Sequence, residues 1–199
     1  MRKRQNLAWA SFFLVILVSG CSNVYTQTGM LKGENLIIDY PEEMNAWKAY
    51  VAEDEHHTAL RFEKPGGDED DVLRVGIFGS IHGEDGEKFL RDLAGETERE
   101  GCSQFINTSL KYPMKSIYMV KYWETLCIKD SKSQRKELNL GILGNDKLYL
   151  IQRRWKTKVP EEDVNLWKSR FEEIYLCDTR IDDAPCPTTT GDEYIKLTW

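Results

Sequence analysis

Short β-rich apolar runs recur along this chain: NLIIDY (35–40), both arms of YVAEDEHHTALRFEK (50–64), VLRVGIFGSI (72–81), QFINTSL (104–110), MKSIYMVKYWETLCI (114–128), KELNLGIL (136–143) and KLYLIQRRW (147–155). Leu138, Leu140 and Ile142 alternate with their neighbours and share one strand face. Two stretches carry helical spacing instead. In GEKFLRDLAGETERE (86–100) it is Phe89, Leu90 and Leu93, and in PEEDVNLWKSRFEEIYL (160–176) it is Val164, Trp167, Phe171 and Ile174.

The punctuation agrees. Pro41 closes the first run, PGGDEDD (65–71) is a loop by composition, and Gly144-Asn145-Asp146 predicts a hairpin. Asp85 suits the cap of the first helix and Gly101 the position beyond its end. Glu87 with Arg91, and Lys88 with Asp92, are i,i+4 pairs on its wet face. Pro160 opens the second helix, with Glu161, Glu162 and Asp163 at the positive end of its dipole. After Cys177 the chain reads as loop and a short last strand. The fold class expected is α+β, a mostly antiparallel sheet flanked by helices.

The first 21 residues follow another plan. Arg2, Lys3 and Arg4 precede the apolar run LAWASFFLVILV, and small Ser19 and Gly20 follow. This is the plan of a secretory signal, and the run is short of the roughly 20 apolar residues a spanning helix needs. Val18-Ser19-Gly20-Cys21 resembles the lipobox of bacterial lipoproteins. That resemblance implies acylation of Cys21, cleavage before it, and membrane attachment through lipid. Several acyl chains make a stable anchor, because each buried methylene contributes about 0.8 kcal/mol. Ser22 in place of an aspartate points to the outer membrane, facing the periplasm. The division expected is a signal peptide over 1–20, a polar, glycine-dotted tether over 21–34, one domain over 35–177 and a tail over 178–199.

Losing residues 1–20 leaves 179 of the 199 residues, enough for one real core. It also removes three positive charges and moves the net charge from −6 to −9. So acidic a body is no nucleic-acid binder, and it lacks a polybasic patch for anionic lipid. A protein partner chosen by charge would be basic. With Cys21 lipidated, Cys102, Cys127, Cys177 and Cys186 remain, and an even number in an exported chain reads as disulfides. Four cysteines allow three pairings. Nearness in sequence favours Cys102–Cys127 and Cys177–Cys186. No CxxC pair or finger-spaced histidine calls for zinc, and no cofactor is expected.

ENLIIDYPEEMNAW, a strand closed by Tyr-Pro and followed by Trp47, resembles the opening of Mog1/PsbP-like domains, which include small DcrB-type lipoproteins. The order of strands, helix, long-strand meander and last amphipathic helix is similar too. The resemblance implies an α/β/α sandwich that serves as a binding or assembly accessory, with no common catalytic residues. The cysteines and the tail after Cys177 depart from that pattern.

Candidate chemistry is sparse. Ser80 and His82 would share a strand face with Asp85 nearby, the raw material of a nucleophile and its base. No G-x-S-x-G elbow surrounds them, and a polar strand end entering a helix explains them as well. His56 and His57 lie among Glu53, Asp54 and Glu55, a pattern for a pH-sensitive or metal-binding patch or for a solvated hairpin tip. Asp68, Glu69, Asp70 and Asp71 form an acidic loop without EF-hand spacing. Among Tyr112, Tyr118, Tyr122, Trp123 and Trp155, half should be core. If Trp123 faces inward, Tyr118 and Tyr122 offer an exposed aromatic binding surface. Asn107-Thr108-Ser109 is a glycosylation sequon without meaning in a bacterium. The expectation is a non-enzymatic, lipid-anchored envelope protein that binds a protein or assists assembly. The alternatives are a periplasmic immunity or inhibitor protein, and a hydrolase using Ser80 and His82.

Overall fold

The computed structural model describes residues 32–66, 71–81, 83–95, 101–130, 134–156 and 158–187. The expected signal segment, Cys21, His82, the acidic residues 68–70 and the expected last strand lie outside these residues.

The chain runs β1 (Glu34–Ile37), a 3₁₀ turn (Glu42–Ala46), β2 (Lys48–Glu53), β3 (His57–Glu63), β4 (Val72–Phe78) and α1 (Gly83–Gly95). It continues through β5 (Gln104–Ser109), β6 (Met119–Ile128), β7 (Gln134–Leu143), β8 (Leu148–Trp155), α2 (Glu161–Glu173) and β9 (Tyr175–Asp178). Seven strands form one antiparallel sheet in the order β2-β3-β4-β8-β7-β6-β5, and β1 pairs separately with β9. The α+β class is as expected.

β7 shows why the sheet needs a helix on each side. Neighbouring residues of a strand point to opposite faces, yet every residue from Glu137 to Leu143 is buried. Leu138, Leu140 and Ile142 join the main core with Trp167, Phe171 and Ile174 from the α2 segment and Leu36 and Leu176 from the small sheet. Gly141, on the other face, lies under α1, and a Cβ there would overlap Leu90 Cδ2. Leu90 forms a second cluster with Leu143 and Leu148. Gly86 in turn leaves room for Leu143, so helix and sheet approach closely from both sides.

Several boundaries differ from expectation. α1 begins at Gly83, so Asp85 sits inside its first turn rather than capping it. Pro160 precedes α2, and its carbonyl accepts the amides of Asp163 and Val164. α2 stops at Glu173, because Ile174 turns extended and Tyr175–Asp178 pairs with β1. Pairing also brings Glu34 into the fold from the expected tether, its carboxylate accepting amides of Asn145 and Asp146 in the β7–β8 turn. The expected tail is likewise part of the body through Pro187. Asp178 is 1% exposed, Arg180 pairs with it and with Asp146, and Ala184 is buried. Disulfides join Cys102 to Cys127 and Cys177 to Cys186, the pairing that nearness in sequence favours.

Candidate functional site: a tryptophan-walled cleft

Among the described residues, a candidate site grows from a polar residue at an apolar position. Ile151, Arg153 and Trp155 alternate along β8 and point toward the α2 side. Arg153 is only 3% exposed. Its guanidinium lies 4.6 Å from the ring centre of Trp155 and 5.1 Å from those of Trp47 and Trp167. Three elements supply this cage: the end of the 3₁₀ turn, β8 and α2. A cation held over aromatic faces is attracted by their quadrupoles, more strongly once water is removed.

The charge is also paired. Arg153 Nη2 meets the Asp71 carboxylate, which is 25% exposed, and Nη1 donates to the carbonyls of Val72 and Arg154. Nε is buried and has no hydrogen-bond partner among the described residues. Burial lowers the Arg153 pKa from its ordinary value while the Asp71 charge pulls it back up. Above this floor opens a cleft of about 490 Å³, rimmed by Glu43, Lys64, Lys158, Asp163 and Leu166. Leu166 is 46% exposed. The two rim lysines offset Glu43 and Asp163, and Asp71 offsets Arg153. The site therefore suits a group without net charge that brings apolar surface to the ring edges and to Leu166.

The residues singled out in the sequence fare differently. Tyr118 and Tyr122 do not form an exposed surface: they are 8% and 4% exposed and belong to the main core. Trp123 does face the other way, but it is buried too, at 3% exposure. Alternation fails as a guide here because β6 lies inside a sheet covered on both faces. Tyr112, at the same end of β6, donates to the Ile174 carbonyl.

Ser80 is exposed in the turn after β4. Asp54 Oδ1 accepts the amides of His56 and His57 at 2.9 and 2.8 Å, and His57 stacks on Phe78 with ring centres 4.5 Å apart. These bonds make the β2–β3 turn a capped hairpin. Among the described residues no group of three or more His, Cys, Asp or Glu side chains is placed to hold a metal. Of the acidic loop, Asp71 alone is described, and it serves Arg153. Asn107 of the sequon donates its side-chain amide to the Ala94 carbonyl of α1. No helix among the described residues is long and apolar enough to cross a membrane.

Sequence reasoning passed over Arg153. The available signal was a charged residue in phase with Ile151 and Trp155, on the face that must be buried.

Comparison with protein-family models and with curated proteins finds no match for this chain.

Proposed function

We propose that this chain is a bacterial envelope lipoprotein, anchored through Cys21 on the periplasmic side of the outer membrane. It works without catalysis, as a binding or assembly accessory for a protein partner. The observation that carries the binding role is the tryptophan-walled cleft over Arg153, with a charge-balanced rim and exposed Leu166. A neutral peptide segment fits such a site, with an apolar side chain beside Leu166. The charge-balanced rim favours such a segment over the basic partner that net charge alone suggests.

The finer fold reading is the Mog1/PsbP-like sandwich. An α1 layer, a seven-stranded antiparallel sheet and an α2 layer support it.

The test has two arms. Cells labelled with an alkyne fatty acid should mark the wild-type chain and leave Cys21→Ala unmarked; equal labelling of both removes the anchor. In intact envelopes, Leu166→Asp should lose the cross-linked partner that wild type and Ser80→Ala both retain. If Ser80→Ala abolishes function in a folded, anchored protein, the hydrolase reading replaces this one.

A further inference from the structure

The β2 edge of the large sheet carries a second site, on the opposite side of the β2–β3 ribbon from β4. β2 reads Lys48-Ala49-Tyr50-Val51-Ala52-Glu53, and all six residues are exposed. Tyr50 is 48% exposed and Val51 59%. Natural sheets blunt such edges with central charges, prolines or bulges, because free amides and carbonyls invite another strand. β2 has none of these in its centre. Its charges sit at the two ends, with opposite sign.

The register on β3 shows which backbone groups point outward. Lys48 pairs with Glu63 and Tyr50 with Arg61, and beyond the strand the Asp54 amide donates to the His57 carbonyl at 2.9 Å. Hydrogen-bonded pairs alternate along an antiparallel ladder. The groups of residues 48, 50, 52 and 54 are thus spent on β3, and those of Ala49, Val51 and Glu53 face away.

We propose that β2 pairs antiparallel with β2 of a second copy of this chain about a two-fold axis through Val51. A two-fold axis normal to the sheet keeps each side chain on its own face, so residues directly opposite must be an even number apart in sequence. Centring on Val51 satisfies this and uses the outward groups. Val51 meets Val51 and Ala49 meets Glu53 as hydrogen-bonded pairs. On the other face, Lys48 stands opposite Asp54, and small Ala52 receives Tyr50. The two Tyr50 rings become diagonal neighbours, within aromatic reach. Centring on Tyr50 instead would leave Lys48 facing Ala52 and no charge paired. Self-complementary charge thus fixes both partner and register. A seven-residue ladder falls short of the roughly 1,200 Å² of a stable interface, so the dimer is of the weak class. The pairing does not depend on the lipid anchor or on the cleft.

Cysteine cross-linking of the full chain in cells reads such a contact directly. Opposed residues in a hydrogen-bonded pair have Cα atoms about 5.5 Å apart, within disulfide range. Under mild oxidation Val51→Cys should give a product of twice the chain mass. Tyr50→Cys and Ala52→Cys, each facing a different residue, should give little. Adding Lys48→Glu to Val51→Cys, which sets like charges opposite, should remove most of the product. The proposal is overturned if Val51→Cys stays monomeric in a protease-resistant chain, if Tyr50→Cys cross-links better, or if the product has the mass of a different partner.

Discussion

Arg153 raises the question of what a buried cation contributes when its counter-ion is partly wet. The Asp71 side chain as a whole is a quarter exposed, but the oxygen that meets the guanidinium is buried, so water screens the pair little. The three tryptophan rings around the guanidinium are almost fully buried. Packing and pairing should therefore both matter. Arg153→Ala opens a void among the rings and should cost about 3 kcal/mol, within the range for large-to-small core changes. Asp71→Asn takes the charge from a buried pair and should cost about 1.5–3 kcal/mol. Urea unfolding of the two variants decides the matter: a loss of under about 0.5 kcal/mol for Asp71→Asn would mean that the cage alone holds Arg153 in place. Nothing local in QRRW distinguishes Arg153 from Arg154. Only strand phase does, since Arg154 points to the opposite face and there pairs with Glu137.

At the scale of elements, α1 is positioned by two missing side chains. Gly141 and Gly86 are conspicuous because a Cβ on either would overlap a leucine from the other element. Leu90 is fully buried and has nowhere to retreat. Gly141→Ala should therefore lift α1 and cost about 1–3 kcal/mol, as overpacking does. Leu90→Ala alone should cost about 2–5 kcal/mol. In a double-mutant cycle the pair should cost less than the sum, and simple additivity would show that α1 does not rest on Gly141. Most elements were legible beforehand, because the stripe Val164, Trp167, Phe171 and the alternation of β7 are long and regular. β9 was not. Ile174-Tyr175-Leu176 continues the helical stripe in sequence, and only the distant partner β1 draws it into a strand. The exposed aromatic face expected at Tyr118 and Tyr122 failed for a related reason, since alternation tells which face a residue takes and not what covers that face. The Arg153 cleft was equally hidden, being assembled from Trp47, Arg153 and Trp167, far apart in the chain.

For the whole molecule, the two ends of the described body meet. Gly33 and Thr179 exchange hydrogen bonds, and the Asn35 side chain lies 3.9 Å from Cys186 Sγ. The small β1–β9 sheet and the Cys177–Cys186 bridge thus close the fold where the chain enters it. The order of segments along the polypeptide is therefore separable from the architecture. A circular permutant joining residue 187 to residue 32 through about six Gly/Ser residues, which span about 12–15 Å, preserves every strand pair of the body. Its new ends would fall at the exposed tip between Glu55 and His56. It should fold with both disulfides formed and with the near-ultraviolet dichroism of the original, because closure at the β1–β9 seam needs proximity and not a free end. A permutant that expresses but leaves Cys177 and Cys186 reduced would show instead that the seam has to be laid down from the original N-terminus.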